Sequence, residues 1–193
     1  MTVFALRPET TLHDVGAVLE RLGFEIVAVE AGEGDDLRRI SFADDARTTR
    51  AMLVEDGYLD VNYLSFVGTG TGRAANEVVE ARLAYDAERL LATAQQGLDP
   101  LDRESLKTLV RLALSASPDL EADVRSLFDR LSREGAEPVR FTLISAISCR
   151  AVQPGGLAAF RPVLNRLADE DPSEMVRDEA RLMRAALDEA PDL

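Results

Sequence analysis

The sequence contains little of what metal and disulfide chemistry requires. It has one cysteine, Cys149, and one histidine, His13, among 193 residues. A single cysteine excludes an internal disulfide framework and any multi-cysteine zinc or iron–sulfur site. A single histidine excludes the usual multi-histidine metal sites. No metal ion and no cofactor are therefore expected.

Long apolar runs are missing as well. No run approaches the roughly 18–20 residues of a membrane span, and the first residues lack the charged-then-apolar pattern of a secretory signal. These absences predict a cytoplasmic protein that does not bind membranes. The 46% of hydrophobic residues nevertheless suffices for a real core, which argues against a disordered chain.

Basic residues are scarce relative to acidic ones. The chain has 35 Asp and Glu against 22 Lys and Arg, a formal net charge of -13. The acidic residues are spread over both halves of the sequence, and every base except Lys107 is an arginine. Such a charge repels nucleic acids and anionic membranes and attracts a basic partner. Solubility alone is the alternative explanation of the charge.

Residues 1–72 carry the pattern of a small α/β domain. Thr11 and Asp14 have the spacing of a capping box at the start of a helix over 12–22, and Gly23 closes that helix. The strand patterns indicate a mostly antiparallel sheet with this helix on one face. The predicted strands are 3–6, 24–29, 37–42, 48–54 and 59–67.

Residues 73–193 are rich in Ala, Leu, Arg and Glu at helical spacing. The pattern predicts one long connecting or capping helix over about 73–96, closed by Gly97, and a helical array over 98–193. The breaks at Pro118, Gly135, Pro154–Gly156 and Pro172 divide this array. Its predicted helices are 101–116, 119–134, 137–150, 157–168 and 173–189. The fold class is therefore α+β.

The helices of the array repeat at a constant interval. Val139-Arg140 recurs as Val176-Arg177, 37 residues later, and residues 125–131 recur as 161–167 after 36. Leu109 and Ala146 are again separated by 37 residues. A period of 36–37 residues over alternating helices is typical of an α-solenoid built from helical hairpins. An ordinary helical bundle is the alternative.

The segment 171–187 resembles the first helix of a HEAT repeat. The similarity lies in Asp171-Pro172 before the helix, Val176-Arg177 inside it and the small Ala180 and Ala186. Residues 137–147 are a second, weaker copy, and the resemblance covers about 101–189. It implies a scaffold that binds a protein or another polymer and does not imply catalysis. Residues 11–80 are faintly similar to the YbjN and type III secretion chaperone-like family, which also implies partner binding.

A glycine-rich segment joins the two regions and is the candidate ligand site. Gly68, Gly70 and Gly72 follow a predicted strand and precede a predicted helix, with Arg73 next to them. Gly70, Gly72 and Ala75 match the G-x-G-x-x-A form of the dinucleotide fingerprint, in which backbone N–H groups hold phosphate. The acidic residue expected about 20 residues later is missing. A flexible linker is the competing interpretation.

The other chemistry-bearing residues predict no active site. His13 and Cys149 are interpreted as a surface histidine and a buried structural cysteine, although a dyad of the two is formally possible. The acidic groups Asp35–Asp36, Asp44–Asp45 and 169–171 lack the alternating spacing of a calcium loop. No catalytic residue and no metal ligand is therefore assigned, and the protein is predicted not to be an enzyme.

Three functions are compatible with this pattern. The first is a bacterial protein-binding adaptor or regulator that uses the helical array and an acidic surface. The second is an immunity-type inhibitor of a basic toxin. The third is a protein that binds a nucleotide or another anionic ligand at Gly68–Gly72. The sequence does not indicate which face of the array binds, the identity of a partner or the oligomeric state.

Overall fold

The computed structural model describes residues 1–31, 37–151 and 156–189. It confirms the α+β class and divides into two compact units, Met1–Asp86 and Ala87–Leu193. The first unit contains a sheet and two helices, and the second is helical. Each unit is described by itself. Gly32 and Gly34, between two predicted strands, indicate a turn, and this segment lies outside the described residues.

The sheet of the first unit has five strands in the order β1-β5-β4-β3-β2, and every neighbouring pair is antiparallel. This confirms the small antiparallel sheet predicted from the sequence. The strand β2 lies at one edge and pairs with β3 through a bulge between Ile26 and Ala28. The strands are β1 Thr2–Ala5, β2 Phe24–Ala31, β3 Leu37–Asp44, β4 Thr49–Asp56 and β5 Val61–Gly68.

The helix α1 spans Leu12–Arg21 and begins as the sequence predicts. The Thr11 hydroxyl accepts a hydrogen bond from the Asp14 N–H, and the Asp14 carboxylate accepts one from the Thr11 N–H, which completes a capping box. Gly23 follows the helix with a φ of 80°, a left-handed conformation that glycine adopts without strain. The chain thereby turns directly into β2.

The hydrophobic core of the first unit lies between α1, the helix α2 (Thr71–Glu80) and one face of the sheet. Val15 and Leu19 of α1 are fully buried against residues of the strands, and Val78 of α2 joins them. Phe4 and Phe66 meet edge to face, with ring centroids 6.5 Å apart. The strand residues of this cluster include Phe24, Ile40, Phe42, Ala51, Leu53, Leu64 and Phe66.

The prediction of one long helix over 73–96 is wrong. The helix α2 ends at Glu80, Arg82 takes a φ of 58°, and α3 begins only at Ala87. Between them the backbone runs beside β1: the Arg7 N–H donates to the Leu83 carbonyl, and the Tyr85 N–H donates to the Ala5 carbonyl. These bonds to β1 replace helical ones. Leu83 still packs on the core, so the apolar periodicity continues where the helix does not.

The second unit has six α-helices in its described part. The five helices predicted beyond residue 100 are all present, with ends that shift by three residues or fewer. Pro162 lies inside a helix, and the predicted break at Pro154–Gly156 falls mostly outside the described residues. The helices are α3 Ala87–Gln96, α4 Arg103–Ser115, α5 Glu121–Glu134, α6 Glu137–Ala151, α7 Gly156–Glu170 and α8 Glu174–Glu189, with a 3-10 turn at Pro118–Leu120.

These helices pack in two rows. In one row α4 contacts α6 and α6 contacts α8, and in the other α5 contacts α7. Contacts of α6 with α5 and of α7 with α6 and α8 join the rows. The repeated positions fall on buried faces, since Val139 and Val176 are buried in α6 and α8, as Leu109 and Ala146 are in α4 and α6. The repeat therefore marks buried residues of alternate helices. Membership of the HEAT family stays a prediction.

Glu104 binds two nearly buried bases at the start of α4. Its carboxylate accepts from Lys107 Nζ at 2.5 Å and from Arg111 Nη2 at 2.9 Å. The hydrogen bond from Lys107, followed by that from Arg111, lowers the pKa of Glu104. Ionised Glu104 therefore stabilises the folded state above the pKa of the unfolded chain, about 4.3. This contribution is lost as the pH falls through the lower, folded-state pKa.

We expect Glu104→Gln to lower the free energy of unfolding by about 0.5 kcal/mol at pH 7, the size of a largely exposed ion pair. The difference from the unmodified chain should be smaller at about pH 3, because the Glu104 side chain loses its charge as the pH falls through its lowered, folded-state pKa. Urea unfolding at the two pH values measures it. Glu174→Gln, in the first turn of α8, is the control. Equal effects of Glu104→Gln at both pH values would contradict the argument.

Candidate functional site

The edge strand β2 is only partly covered by the helices of the first unit. Ile26 pairs with Phe42 and Val29 pairs with Ile40 across the β2–β3 ladder, so each pair lies on the helix-bearing face. Phe42 is 2% exposed and Ile40 is 0% exposed, whereas Ile26 and Val29 are each 56% exposed. The apolar face of the sheet therefore continues one strand beyond its helical cover.

A groove lies at this place and has a volume of about 1030 Å³. One face of α1 forms its wall, and side chains of β2 and β3 form its floor. We call it the α1–β2 groove. Its lining residues are Thr11, Leu12, His13, Gly16, Ala17, Glu20, Gly23, Phe24, Glu25, Ile26, Phe42 and Asp45.

The side chains of α1 explain why the groove stays open. Val15, Val18 and Leu19 face the core, and Gly16 and Ala17 lie on the flank that lines the groove. A Cβ atom built on Gly16 meets no atom within 4 Å. Because these two residues are small, the wall of the groove lies close to the helix backbone.

The rim of the groove is acidic. Glu20 on α1, Glu25 on β2 and Asp45 after β3 line it, and none of its described lining residues is Lys or Arg. His13, in the first turn of α1, also lines the groove. An apolar floor with carboxylates around it favours a ligand that is apolar on one side and basic at its flanks.

The predicted glycine site has a structural explanation of its own. The Gly70 N–H donates to Thr49 Oγ1 at 2.9 Å, and the Thr71 hydroxyl donates to the Gly68 carbonyl at 2.7 Å. Gly68 has a φ of 121°, and a side chain there would overlap the Thr48 carbonyl oxygen. These glycines let the loop pack closely on the β3–β4 turn.

Hydrogen bonds to the Asp44 side chain stabilise the β3–β4 turn. The carboxylate accepts from the N–H groups of Thr48 and Thr49, and the bond from Thr49 does most to lower the pKa of Asp44. The strand before the glycines, β5, is antiparallel to both of its neighbours, unlike the parallel strands of dinucleotide-binding folds. Arg73 is exposed in the first turn of α2. Ligand binding at Gly68, Gly70, Gly72 and Arg73 stays a prediction.

The other candidate residues lie in different units of the chain or outside the described residues. His13 is exposed in the first unit, and Cys149 is buried in the second. Asp35–Asp36 lie outside the described residues. The described parts of the chain hold no group of three or more His, Cys, Asp or Glu side chains placed to bind a metal ion.

Three phenylalanines, Phe128, Phe141 and Phe160, lie in three helices of the second unit, where the sequence predicts packing between layers. An exposed one would be a candidate anchor for a partner. Phe128 and Phe160 are buried, with ring centroids 5.4 Å apart, and Phe141 is half-buried. Phe128 and Phe160 therefore pack between α5 and α7.

The α1–β2 groove was missed by sequence reasoning. The strand over 24–29 was predicted, but the alternation of its side chains was not used. Ile26, Val27 and Val29 are apolar and lie between Glu25 and Glu30, a pattern that contains the signal. The pattern shows that a strand carries apolar side chains, but it does not show which of them the helices cover.

Comparisons with known proteins found no match: the chain fits no protein-family model, and neither a curated protein nor a solved structure matches it. Within the described residues, none of the helices has the length and apolar character that crossing a membrane requires. The α1–β2 groove is therefore the feature on which a functional proposal can be based.

Proposed function

We propose that this chain binds another protein as a non-enzymatic adaptor or regulator, and that the α1–β2 groove is a primary contact surface. The observation that carries the proposal is the exposure of Ile26 beside buried core residues, in a groove with an acidic rim. Val29 is equally exposed on the same face of β2. Apolar groups clustered on a surface and rimmed by polar residues mark interaction sites.

The charge of the chain supports a basic partner. A net charge of -13 accelerates the approach of a basic protein over long distances, and the carboxylates at the groove then favour a basic surface locally. The helical unit, with its repeated hairpins, adds a scaffold for further contacts, as the HEAT resemblance implies. An immunity-type inhibitor of a basic toxin would use the same surface, and the identity of the captured partner distinguishes the two roles.

Capture of partners from a lysate of the source organism tests the proposal. The bait is the full chain, unmodified or carrying Ile26→Arg, and bound proteins are identified by mass spectrometry at low and high salt. We expect a basic partner that is retained at low salt, weakened at high salt and lost with Ile26→Arg. The substitution places a charge on the apolar floor of the groove.

Leu182→Arg is the matched control, because Leu182 is 68% exposed on α8 and the change adds the same charge. Both variants alter exposed side chains, so each should unfold within about 0.5 kcal/mol of the unmodified chain. If both variants and the unmodified chain capture the same proteins equally, the groove does not bind them and the proposal is wrong.

A further inference from the structure

The shape and charge of the α1–β2 groove also indicate what kind of segment it holds. We propose that the partner contributes an amphipathic α-helix, which lies beside α1 and over β2 with its apolar side on Ile26 and Val29 and basic side chains at its flanks. This inference rests on the proposed function, because it specifies the segment that binds at the same groove.

The exposed face of β2 has the dimensions of a short helix. Residues 24–29 of an extended strand span about 20 Å, the length of a helix of about 13 residues. The helix α1 already occupies the same side of the sheet, and helices packed side by side lie about 8–10 Å apart. A second helix beside α1 would therefore cover the floor of the groove.

The placement of the exposed side chains favours a helix over an added strand. Ile26 and Val29 lie on the helix-bearing face of the sheet. A strand added at the edge would lie in the plane of the sheet and would leave most of this face uncovered. The bulge between Ile26 and Ala28 also disturbs the regular edge that strand pairing requires.

The wall of the groove suits close contact with a helix. Gly16 and Ala17 are small, and space is open beside Gly16. Large side chains of an incoming helix can enter this space, as ridges enter grooves between packed helices. Filling the space with a side chain on α1 should therefore block the partner without disturbing the core.

The negative charge of the groove and of the chain favours a helix from a different protein over a second copy of this chain. Glu20, Glu25 and Asp45 border the groove, and its lining in the described part of the chain includes no Lys or Arg. Two copies with a net charge of -13 each repel one another. Arginine or lysine at the flanks of a partner helix would instead meet the three carboxylates.

Three labelled peptides of about 16 residues test the inference by fluorescence anisotropy with the full chain. The first has leucines at helical spacing and arginines at the flanks. The second has the same composition with alternating leucine and arginine, and the third replaces the arginines by glutamates. We expect the first to bind at least about tenfold more tightly than either of the others, and its helical circular dichroism signal to rise on binding.

Two substitutions at Gly16 separate occlusion from stability. Gly16→Ala and Gly16→Leu should both raise the melting temperature, because glycine is a poor helix former. Only Gly16→Leu fills the groove, so it should weaken binding of the helical peptide by about tenfold or more, whereas Gly16→Ala should change it less than about twofold. Equal binding by both variants would show that the peptide does not occupy the groove.

Two substitutions, one inside and one outside the groove, test whether its local charge contributes to binding. Glu20→Lys should weaken binding of the basic helical peptide by about fivefold. Glu80→Lys makes the same change at the end of α2, outside the groove lining, and should have less than half of that effect. Equal effects would show that only the overall charge matters, and the local contact would be refuted.

The peptide experiments can refute a basic partner helix while the proposed function stands. Tighter binding of the alternating peptide would replace the helix by an added strand, and equal binding of the acidic peptide would refute basic flanks. If the helical peptide does not bind although Ile26→Arg abolishes capture of a cellular partner, the inference is wrong and the proposed function stands.

Discussion

Replacing Asp171 by alanine should lower the free energy of unfolding of the helical unit by about 3 kcal/mol, the cost of breaking a buried ion pair by removing one partner. The Asp171 side chain is 1% exposed and accepts from Arg140 Nε at 2.7 Å and from Arg140 Nη2 at 3.0 Å. It also accepts from the Ser173 N–H at 2.9 Å, just before α8. One side chain thus connects α6 to the start of α8.

The substitution removes the two hydrogen bonds from the Arg140 guanidinium to the carboxylate. The bond from Arg140 Nη1 to the Gly135 carbonyl remains. Asp171→Asn keeps the volume and the bond to Ser173 but loses the charge, so we expect an intermediate loss of about 2 kcal/mol. Urea unfolding followed by circular dichroism measures both. Asp178→Ala, on the exposed side of α8, should cost less than about 0.5 kcal/mol.

A loss for Asp171→Ala no larger than that for Asp178→Ala would contradict this account. A double-mutant cycle with Arg140→Ala isolates the pair itself. We expect the two substitutions together to cost clearly less than the sum of their separate effects, because each alone leaves the same contact broken.

Arg150→Ala should cost a similar amount, about 3 kcal/mol. Arg150 is buried in α6, and its Nη1 donates to the carbonyls of Ala113 and Ala116, both at 3.1 Å, where α4 ends. Its Nη2 donates to Glu121 Oε2 at 3.2 Å, and the guanidinium lies 5.6 Å from the centroid of the Phe160 ring. Burial lowers the pKa of Arg150, and the charge of Glu121 acts in the opposite direction.

Loss of this side chain leaves a cavity and removes the hydrogen bonds from the guanidinium to the carbonyls of Ala113 and Ala116. Arg150→Lys should restore less than half of the stability, because one ammonium group cannot reproduce the fork of a guanidinium. Arg130→Ala, on the exposed face of α5, is the control and should change the unfolding midpoint little. Full rescue by lysine would show that charge alone, rather than the fork geometry, joins the helices.

Local signals made much of the fold predictable. The capping box of Thr11 and Asp14 marked the start of α1, and Gly23 marked its end. Short apolar and β-branched runs bounded by turn residues located all five strands. The interval of 36–37 residues identified equivalent buried positions in alternate helices.

The break between α2 and α3 could not be predicted from periodicity. Leu83 continues the apolar stripe, but the carbonyl of Leu83 binds Arg7 and Thr10, more than 70 residues earlier in the chain. This competition between helical hydrogen bonds and bonds to a distant strand is decided by tertiary packing. A sequence pattern shows which side chains are apolar, but it does not show which groups the backbone N–H and C=O groups bind.

The candidate site was less predictable than the fold. The glycines at 68–72 suggested phosphate binding, yet Gly68 and Gly70 also fit closely against Thr48 and Thr49. The α1–β2 groove depends on the exposure of Ile26, which none of the described elements covers. Composition shows that residues are apolar, but only the fold shows which of them lack a neighbour.

The position of β1 has a consequence for the order of folding. Thr2 pairs with Phe66, about 60 residues away in sequence, whereas β2 to β5 are joined as successive neighbours. Closing so long a loop costs more entropy than closing a hairpin. The ribosome must therefore synthesise the chain through β5 before β1 can pair with it. From then until β1 pairs, β5 has an unpaired edge that can bind other nascent chains.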